Sequence, residues 1–369
     1  MDYEVTIIGG GIVGCAVANV FSQKYETILL EKNHDIGLET SSRSGEVIHT
    51  GINYLDHPLK GQCSLEGNKL MYELCEKHNI PHRKWGKLIL AQKGEEEVME
   101  SLYKKGVDAG IELKILDKTD VHKLEPEVTA TGAIWSPNTG IIDSRELIKF
   151  YQGTSNANFV MNTKPFAINK IKNGYEMLVQ VKNEIEMTKI TTNFIINAAG
   201  LNSDKVAQLC GVNDPNYEIY YCKGNYFSIG GGKNKIISHL IYPMPGPVSQ
   251  GFHVKLELDH SMKIGPDTRY IERDELNYDV DENVIPDIFK FTQNYLKFIE
   301  LKNISAAGYS GVRPKLQKKG EPSRDWIIRE ESDRGLEGLV NYIGIDSPGI
   351  TGAMIAARYG FNLIKTITI

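Results

Sequence analysis

A glycine-rich turn near the start of the chain constrains the fold more than any other feature. Gly9, Gly11 and Gly14 follow the apolar, largely β-branched run 5–8 and open a stretch with helical spacing of apolar residues. In a G-x-G-x-x-G turn, the glycines permit the sharp bend, close backbone approach to a pyrophosphate, and tight packing of helix on strand. The N–H groups at the start of the helix then attract phosphate. The pattern predicts a dinucleotide site.

A second predicted strand supports this interpretation. Residues 27–30 are Thr-Ile-Leu-Leu, and the strand ends at Glu31, followed by Lys32. An acidic residue about 20 residues beyond the glycines is placed to accept hydrogen bonds from a ribose. We therefore assign Glu31 and Lys32 to the predicted cofactor site. The motif by itself does not distinguish FAD from NAD.

Two later segments favour FAD. One predicted strand ends at Ala199 and Gly200, and a Gly/Pro loop over 344–351 precedes the last predicted helix. Both resemble further parts of one cofactor domain to which the chain returns. A loop before a helix directs N–H groups and a positive dipole at an anion, which in a flavoenzyme is the reduced flavin ring. From this loop we assign to the cofactor site Gly344, Pro348, Gly349, Ile350 and Thr351.

Composition narrows the class of protein. The chain has 369 residues, of which 41% are hydrophobic and 24% charged, as expected of a globular protein with two domains. Its formal net charge is −5, whereas proteins that bind nucleic acid are usually basic. We therefore expect no nucleic-acid partner.

The cysteines and the N-terminus indicate the compartment. The five cysteines are scattered and form no C-x-x-C pair, which indicates reduced, buried thiols and no metal site. Asp2 and Glu4 stand where a signal peptide would be positively charged, and the apolar stretch 5–21 is short for a membrane span. We expect a cytoplasmic protein without an integral membrane segment, and peripheral contact at the inner face of the membrane stays open.

Several segments resemble the D-amino-acid-oxidase-like superfamily of FAD oxidoreductases, and within it the L-2-hydroxyglutarate dehydrogenase/oxidase family. The segments that carry the resemblance are 41–52, 85–89, 240–245, 251–254, 265–267, 311–315 and 344–351. The resemblance extends over nearly the whole chain. It implies an α/β (α+β overall) fold with a Rossmann-like FAD-binding domain and an interleaved, mainly antiparallel β-sheet substrate domain. The expected division is 1–84, 144–216 and 305–369 for the first domain and 85–143 and 217–304 for the second.

The resemblance also implies oxidation of an (S)-2-hydroxy dicarboxylate, L-2-hydroxyglutarate, to the 2-oxo acid by hydride transfer from C2 to flavin N5. His49 is the first candidate for the base that takes the hydroxyl proton and His253 the second, since imidazole accepts protons near neutrality. Arg313 is the candidate carboxylate clamp. Tyr242 and Lys315 complete the predicted substrate site. The residues expected beside the flavin are Ser41, Ser42, Arg43 and Gly45.

Alternatives stay open from sequence alone. A glycerol-3-phosphate oxidase or an amine or amino-acid oxidase would share this fold. Two further alternatives belong to other functional classes: a flavoprotein without catalytic activity and an NAD-linked dehydrogenase. The electron acceptor is undetermined, and oxygen, a quinone or a carrier protein would each suit the sequence.

Overall fold

The computed structural model describes residues 1–232, 236–246, 251–365 and 367. Apart from short 3₁₀ turns, the helices among these residues are α1 (Ile12–Phe21), α2 (Pro58–His78), α3 (Glu96–Asp108), α4 (Lys118–Leu124), α5 (Ser144–Gly153), α6 (Ser203–Leu209), α7 (Ile285–Tyr295) and α8 (Gly349–Ile364). No helix within these ranges is both long enough and apolar enough to cross a membrane.

The strands build three sheets. In chain order they are β1 (Tyr3–Ile8), β2 (Thr27–Leu30), β3 (Val47–Ile48), β4 (His82–Arg83), β5 (Lys87–Ala91), β6 (Lys114–Asp117), β7 (Gly132–Ser136), β8 (Gly140–Ile142), β9 (Asn158–Val160), β10 (Thr163–Ile171), β11 (Gly174–Val181), β12 (Met187–Asn197), β13 (Tyr220–Ile229), β14 (Leu240–Pro243), β15 (His253–Leu256), β16 (Met262–Gly265), β17 (Arg269–Ile271), β18 (Ile304–Lys315), β19 (Ile327–Glu331) and β20 (Leu336–Ile343).

The first sheet carries the predicted nucleotide-binding unit. Strand β1 lies between β12 and β2 and is parallel to both, and β20 runs parallel to β12 on its other side. Helix α1 packs against α5 and α8 over this sheet. The last residues of β1, 5–8, are fully buried, as expected for a central parallel strand covered on both faces. The sheet therefore brings the ends of β1, β12 and β20 to one edge.

The glycine turn requires glycine for two physical reasons. Gly9 has a φ of 109°, which side chains with a Cβ rarely adopt. A Cβ on Gly14 would lie 1.9 Å from the backbone oxygen of Gly9, so only glycine lets α1 approach the end of β1 this closely. The predicted strand, turn and helix are thus confirmed. Helix α1 begins at Ile12, directly after the turn, and ends at Phe21.

The second large sheet has nine strands among the described residues, eight of them in the order β17-β13-β16-β15-β14-β5-β7-β6. The ninth, β18, pairs with β13 along nearly its whole length. Most of its pairs are antiparallel, and β5 with β14 is the parallel exception. One face packs on a hydrophobic core that includes α7. The opposite face carries Lys87, Tyr242 and His253 toward the first sheet.

The predicted fold class is confirmed, since a Rossmann-like sheet and a mainly antiparallel sheet interleave along the chain. The division into two domains stays a prediction. Strand β18 pairs in the second sheet, although residues 305–315 lie in the segment that the sequence assigns to the cofactor domain. Helix α2 is the longest helix, and the sequence analysis did not predict it.

Candidate active site

One cavity connects the glycine turn to the second sheet. It has a volume of about 750 Å³, in the range typical of ligand pockets. Gly11 and Ile12 line one end, at the start of α1, while Tyr242, His253 and Arg313 line it from the second sheet. A single cavity bordered by both parts is what an extended dinucleotide requires.

Glu31 and Ser41 hold the glycine turn in shape. The backbone N–H of Gly10 donates to Oε2 of Glu31 (2.7 Å), and that of Asn33 donates to Oε1 (2.8 Å). Each carboxylate oxygen keeps a lone pair for a further donor such as a ribose hydroxyl. The N–H of Ile12 donates to Oγ of Ser41 (2.9 Å), which leaves later N–H groups of the first helical turn available to phosphate. These residues fit FAD.

The structure brings thirteen of the sequence-predicted residues to the cavity wall. They are Gly11, Ser41, Arg43, Gly45, His49, Gly200, Tyr242, His253, Arg313, Lys315, Pro348, Gly349 and Ile350. The other predicted residues do not line it: Gly9, Gly14, Glu31, Lys32, Ser42, Ala199, Gly344 and Thr351. Of these, Gly9, Gly14 and Glu31 shape the turn from behind. Lys32 is directed away, since its ammonium pairs with Glu39 (2.7 Å).

His49 is held at both its backbone and its ring. Its N–H donates to Oγ1 of Thr351 (3.0 Å), which ties it to the first turn of α8. Its Nε2 lies 3.2 Å from Oγ of Ser347, and Ser347 lies 2.8 Å from the hydroxyl of Tyr54. Burial, together with the charge of Lys87 and the nearby His253, lowers the pKa of His49 well below its usual range. A neutral imidazole is the form that accepts a proton.

His253 and Tyr242 form a stacked pair. Their ring centroids are 3.9 Å apart and the planes differ by 14°. Nδ1 of His253 lies 3.3 Å from the carbonyl oxygen of Gly251. Because a carbonyl only accepts, Nδ1 carries the proton and Nε2 keeps its lone pair. Burial lowers the pKa of His253 to about 3. The buried hydroxyl of Tyr242 has no hydrogen-bond partner among the described residues, which leaves it available to a ligand.

Arg313 is anchored by backbone carbonyls. Its Nε donates to Cys222 (3.3 Å), and its Nη2 donates to Lys223 (3.2 Å) and Asp267 (2.8 Å). Of the five guanidinium N–H groups, the two on Nη1 remain for a ligand. Three backbone carbonyls therefore hold the guanidinium in place through Nε and Nη2. We expect a substrate carboxylate to bind only the two N–H groups of Nη1, and not the whole planar guanidinium.

Lys315 does not extend freely into the cavity. Its ammonium pairs with Asp346 (2.5 Å), and Asp346 also pairs with Lys60 (3.0 Å) and accepts from Nε1 of Trp326 (3.1 Å). Burial opposes ionisation of Asp346, but the two ammonium groups outweigh it and lower its pKa. Two lysines and one carboxylate leave this wall with one net positive charge.

Arg43 and Gly45 occupy the loop beside the cavity. The guanidinium of Arg43 stacks over the ring of Tyr278, with 4.0 Å between Cζ and the ring centroid. The carbonyl of Gly45 accepts from Nζ of Lys255 (3.1 Å). A Cβ on Gly311 would lie 2.0 Å from the backbone oxygen of Arg43, so β18 presses directly on this loop. The loop is therefore fixed by the second sheet.

Sequence reasoning did not assign four residues that the structure places at or behind the site: Tyr54, Lys60, Lys87 and Asp346. Lys87 carries the clearest signal, because it is a single charge at the head of the apolar run 88–91. Lys60 and Asp346 carry none, since their pairing joins residues far apart in the chain.

This fold, with its Rossmann-like sheet and a cavity that runs from the glycine turn to the second sheet, is that of a dinucleotide-dependent oxidoreductase. The profile of the FAD dependent oxidoreductase family (DAO) matches residues 4–362, and the chain belongs to this family. The predicted flavoenzyme class and the FAD cofactor are thereby confirmed.

Individual relatives refine the resemblance. The chain is 30% identical to the mitochondrial L-2-hydroxyglutarate dehydrogenase of Arabidopsis thaliana, over 97% of this chain and 83% of that protein. It is 27% identical to the glycerol 3-phosphate dehydrogenase of Caloramator mitchellensis, over 99% and 74%. Among solved structures, the dithionite-reduced L-α-glycerophosphate oxidase of Mycoplasma pneumoniae with FAD bound superimposes with a TM-score of 0.85, at 26% identity over 99% of this chain and 95% of that one.

Proposed function

We propose that the protein oxidises L-2-hydroxyglutarate, an (S)-2-hydroxy dicarboxylate, to 2-oxoglutarate. The observation that carries the proposal is the cationic end of the cavity, where Arg313 lines the same space as His49 and His253. The identity to the Arabidopsis enzyme supports the same substrate. When bound, FAD supplies the two-electron acceptor that takes the C2 hydrogen as hydride.

In this proposal Arg313 holds the C1 carboxylate through Nη1, because a charged hydrogen bond is stronger than a neutral one. The Lys60–Asp346–Lys315 group keeps one net positive charge and attracts the distal carboxylate. The free hydroxyl of Tyr242 offers a further hydrogen bond to the substrate. Together these groups favour a substrate with two negative ends.

His49 takes the hydroxyl proton as the C2 hydrogen leaves, which converts the alcohol to a carbonyl. The contact of its Nε2 with Ser347, and of Ser347 with Tyr54, supports this role because it provides a hydrogen-bonded path along which the proton is passed on. His253 lies flat on Tyr242 with its tautomer fixed by Gly251, which suits a residue that orients the substrate.

We further propose a cytoplasmic location, which the five free and buried cysteines support. Oxygen, a quinone or a carrier protein would each serve as the acceptor, and a quinone would favour peripheral contact with a membrane. The substrate proposal does not depend on which acceptor is used.

The test is an anaerobic titration of the purified holoprotein. L-2-hydroxyglutarate is expected to bleach the flavin, while its D enantiomer leaves the flavin oxidised. Glycerol 3-phosphate is the second candidate, because the Caloramator and Mycoplasma proteins act on glycerol phosphate by name. Bleaching by glycerol 3-phosphate with none by L-2-hydroxyglutarate would replace the proposal with that candidate.

A further inference from the structure

Lys87 is a buried cation that the proposed reaction does not use. It begins β5, between β14 and β7, and its side chain is 1% exposed. Its Nζ lies 4.9 Å from the centroid of the Tyr242 ring. No salt bridge joins Lys87 to a carboxylate in the part of the chain that the structure describes. A buried ammonium without an anion is costly, so its presence calls for a function.

Strand register places this charge behind Tyr242 and His253. Lys87 pairs with Leu240 and Ile89 pairs with Tyr242, so Lys87 and Tyr242 project from the same face of the sheet. Tyr242 in turn stacks on His253. The side chain of Tyr242 therefore contacts both Lys87 and the ring of His253.

A second connection leads from Lys87 toward His49. Lys87 pairs with Ser136 in the β5–β7 ladder, and Oγ of Ser136 lies 3.2 Å from Oγ1 of Thr50, the residue after His49. Both histidines thus sit near one ammonium group in a buried setting. In such surroundings a positive charge strongly disfavours a second one nearby.

The other titratable and charged groups around this cluster do not reverse that effect. They come from the 3₁₀ turn after β3 and from strands β13, β14, β15 and β18: Tyr54, Tyr226, Tyr242, Lys255, Tyr309 and Arg313. Tyr226, Tyr242 and Tyr309 are neutral in the folded protein, because burial raises the pKa of each above the usual range. Lys255 is matched by Glu257 (2.9 Å), and Arg313 adds to the positive field.

We propose that Lys87 is a positioning residue whose charge adds to the effect of burial in keeping His49 and His253 unprotonated in the resting enzyme. The catalytic meaning rests on the proposed function: a neutral His49 is ready to accept the hydroxyl proton. Once protonated, His49 stands close to a second cation, and the repulsion favours release of the proton before the next turnover. Burial lowers the pKa of Lys87 to about 7, so below neutral pH the lysine carries a positive charge while the two histidines stay neutral.

The experiment is ¹⁵N-histidine NMR of the holoprotein, titrated from about pH 8 down to the lowest pH at which the protein stays folded. Signals of His49 and His253 are assigned by their loss in H49Q and H253Q. In the wild-type protein both rings are expected to stay neutral across about pH 5 to 8, where an ordinary histidine changes its charge. In Lys87→Met the pKa of at least one ring is expected to rise by about one unit or more from loss of the nearby charge, so that its signal begins to shift at a higher pH than in the wild type.

Two further variants separate charge from packing. Lys87→Arg keeps the cation and is expected to behave as the wild type does. Lys223→Met removes another buried lysine that contacts neither histidine and is expected to change nothing, since Nζ of Lys223 binds Asn277. The proposal is overturned if both rings titrate in folded Lys87→Met as they do in the wild type, or if Lys87→Arg titrates as Lys87→Met does. The readout needs no substrate, so it stands apart from any failure of the proposed reaction.

Discussion

Oγ of Ser347 lies 3.2 Å from Nε2 of His49, although 298 positions separate the two residues in the chain. Ser347 also contacts the hydroxyl of Tyr54 at 2.8 Å. It belongs to the loop before α8, and that loop lines the cavity through Pro348 and Gly349. The residue that orients the candidate base is therefore part of the segment that the sequence assigns to the cofactor.

Replacement of Ser347 by Ala tests this relationship. Loss of one hydrogen bond, worth about 1 kcal/mol, is expected to slow reduction of the flavin by substrate about fivefold to tenfold. Stopped-flow absorbance measures the rate. S310A is the matched control, because the buried hydroxyl of Ser310 has no hydrogen-bond partner among the described residues. An S347A rate equal to that of S310A would remove Ser347 from the mechanism.

The two histidines are distinguished by the parameter that each substitution changes. His49→Gln is expected to lower the rate of flavin reduction by about 10²-fold or more, the usual loss when a general base is removed. His253→Gln is expected mainly to raise the substrate Kd, since its ring orients the substrate. Rapid-reaction titration over substrate concentration separates rate from affinity. The reverse pattern would transfer the role of base to His253.

Arg313→Ala is expected to weaken substrate binding. The hydrogen bonds lost at Nη1 involve charged groups, so the substrate Kd should rise about tenfold to a hundredfold. Arg324→Ala is the matched control, because Arg324 also donates to backbone carbonyls, those of Leu316 and Asn216, but does not line the cavity. Unchanged affinity in folded Arg313→Ala would rule out the clamp.

Asp346→Asn is expected to destabilise the fold and to change its pH dependence. The buried Lys60 and the half-buried Lys315 lose their carboxylate partner, at a cost of about 3–5 kcal/mol in the free energy of unfolding. The pKa of Asp346 is lowered in the folded state, so this contribution is present above the unfolded value of about 3.9 and is lost as the pH falls through the lower folded value.

Urea unfolding of the wild type and of Asp346→Asn at several pH values measures this contribution. The difference between them should be constant above about pH 5 and should shrink as the pH approaches 4 and below. Asp333→Asn is the control for an exposed ion pair, for which little or no change in stability is expected. Equal effects of the two substitutions would contradict the buried role of Asp346.

Gly14→Ala is expected to abolish tight FAD binding. Its new Cβ would stand 1.9 Å from the Gly9 oxygen, so α1 would have to move off the strand end. Gly153→Ala is the matched control, because a Cβ there meets nothing within 4 Å. The flavin absorbance of the purified variants measures the result. A fully yellow Gly14→Ala protein would contradict the packing argument.

The local parts of the fold were predictable because their signals are local. A β-branched run, three spaced glycines and a strand ending in Glu31 specify one compact unit without reference to the rest of the chain. Helix α2 was missed because its buried face is built mainly from small residues: Gly61, Ser64 and Gly67 precede Met71 and Cys75. That spacing is helical, but it gives little hydrophobic contrast.

The charged arrangement of the site was not predictable in the same way. The sequence indicates Lys315 as a candidate for the substrate site but not its pairing with Asp346, a loop residue that the sequence shows only as part of a turn. Lys60 joins them from α2, an element the sequence analysis lacked. Which charges neutralise one another depends on the assembled tertiary structure, and no local pattern encodes it.

The cavity draws its wall from both halves of the polypeptide, from Gly11 near its beginning to Ile350 in the first turn of α8. A ribosome-bound chain that has emerged only through β12 already holds the complete glycine turn, yet it lacks Arg313 and the loop that carries Ser347. We therefore expect stable flavin binding only after α8 has been translated, and weaker flavin binding by shorter translation products.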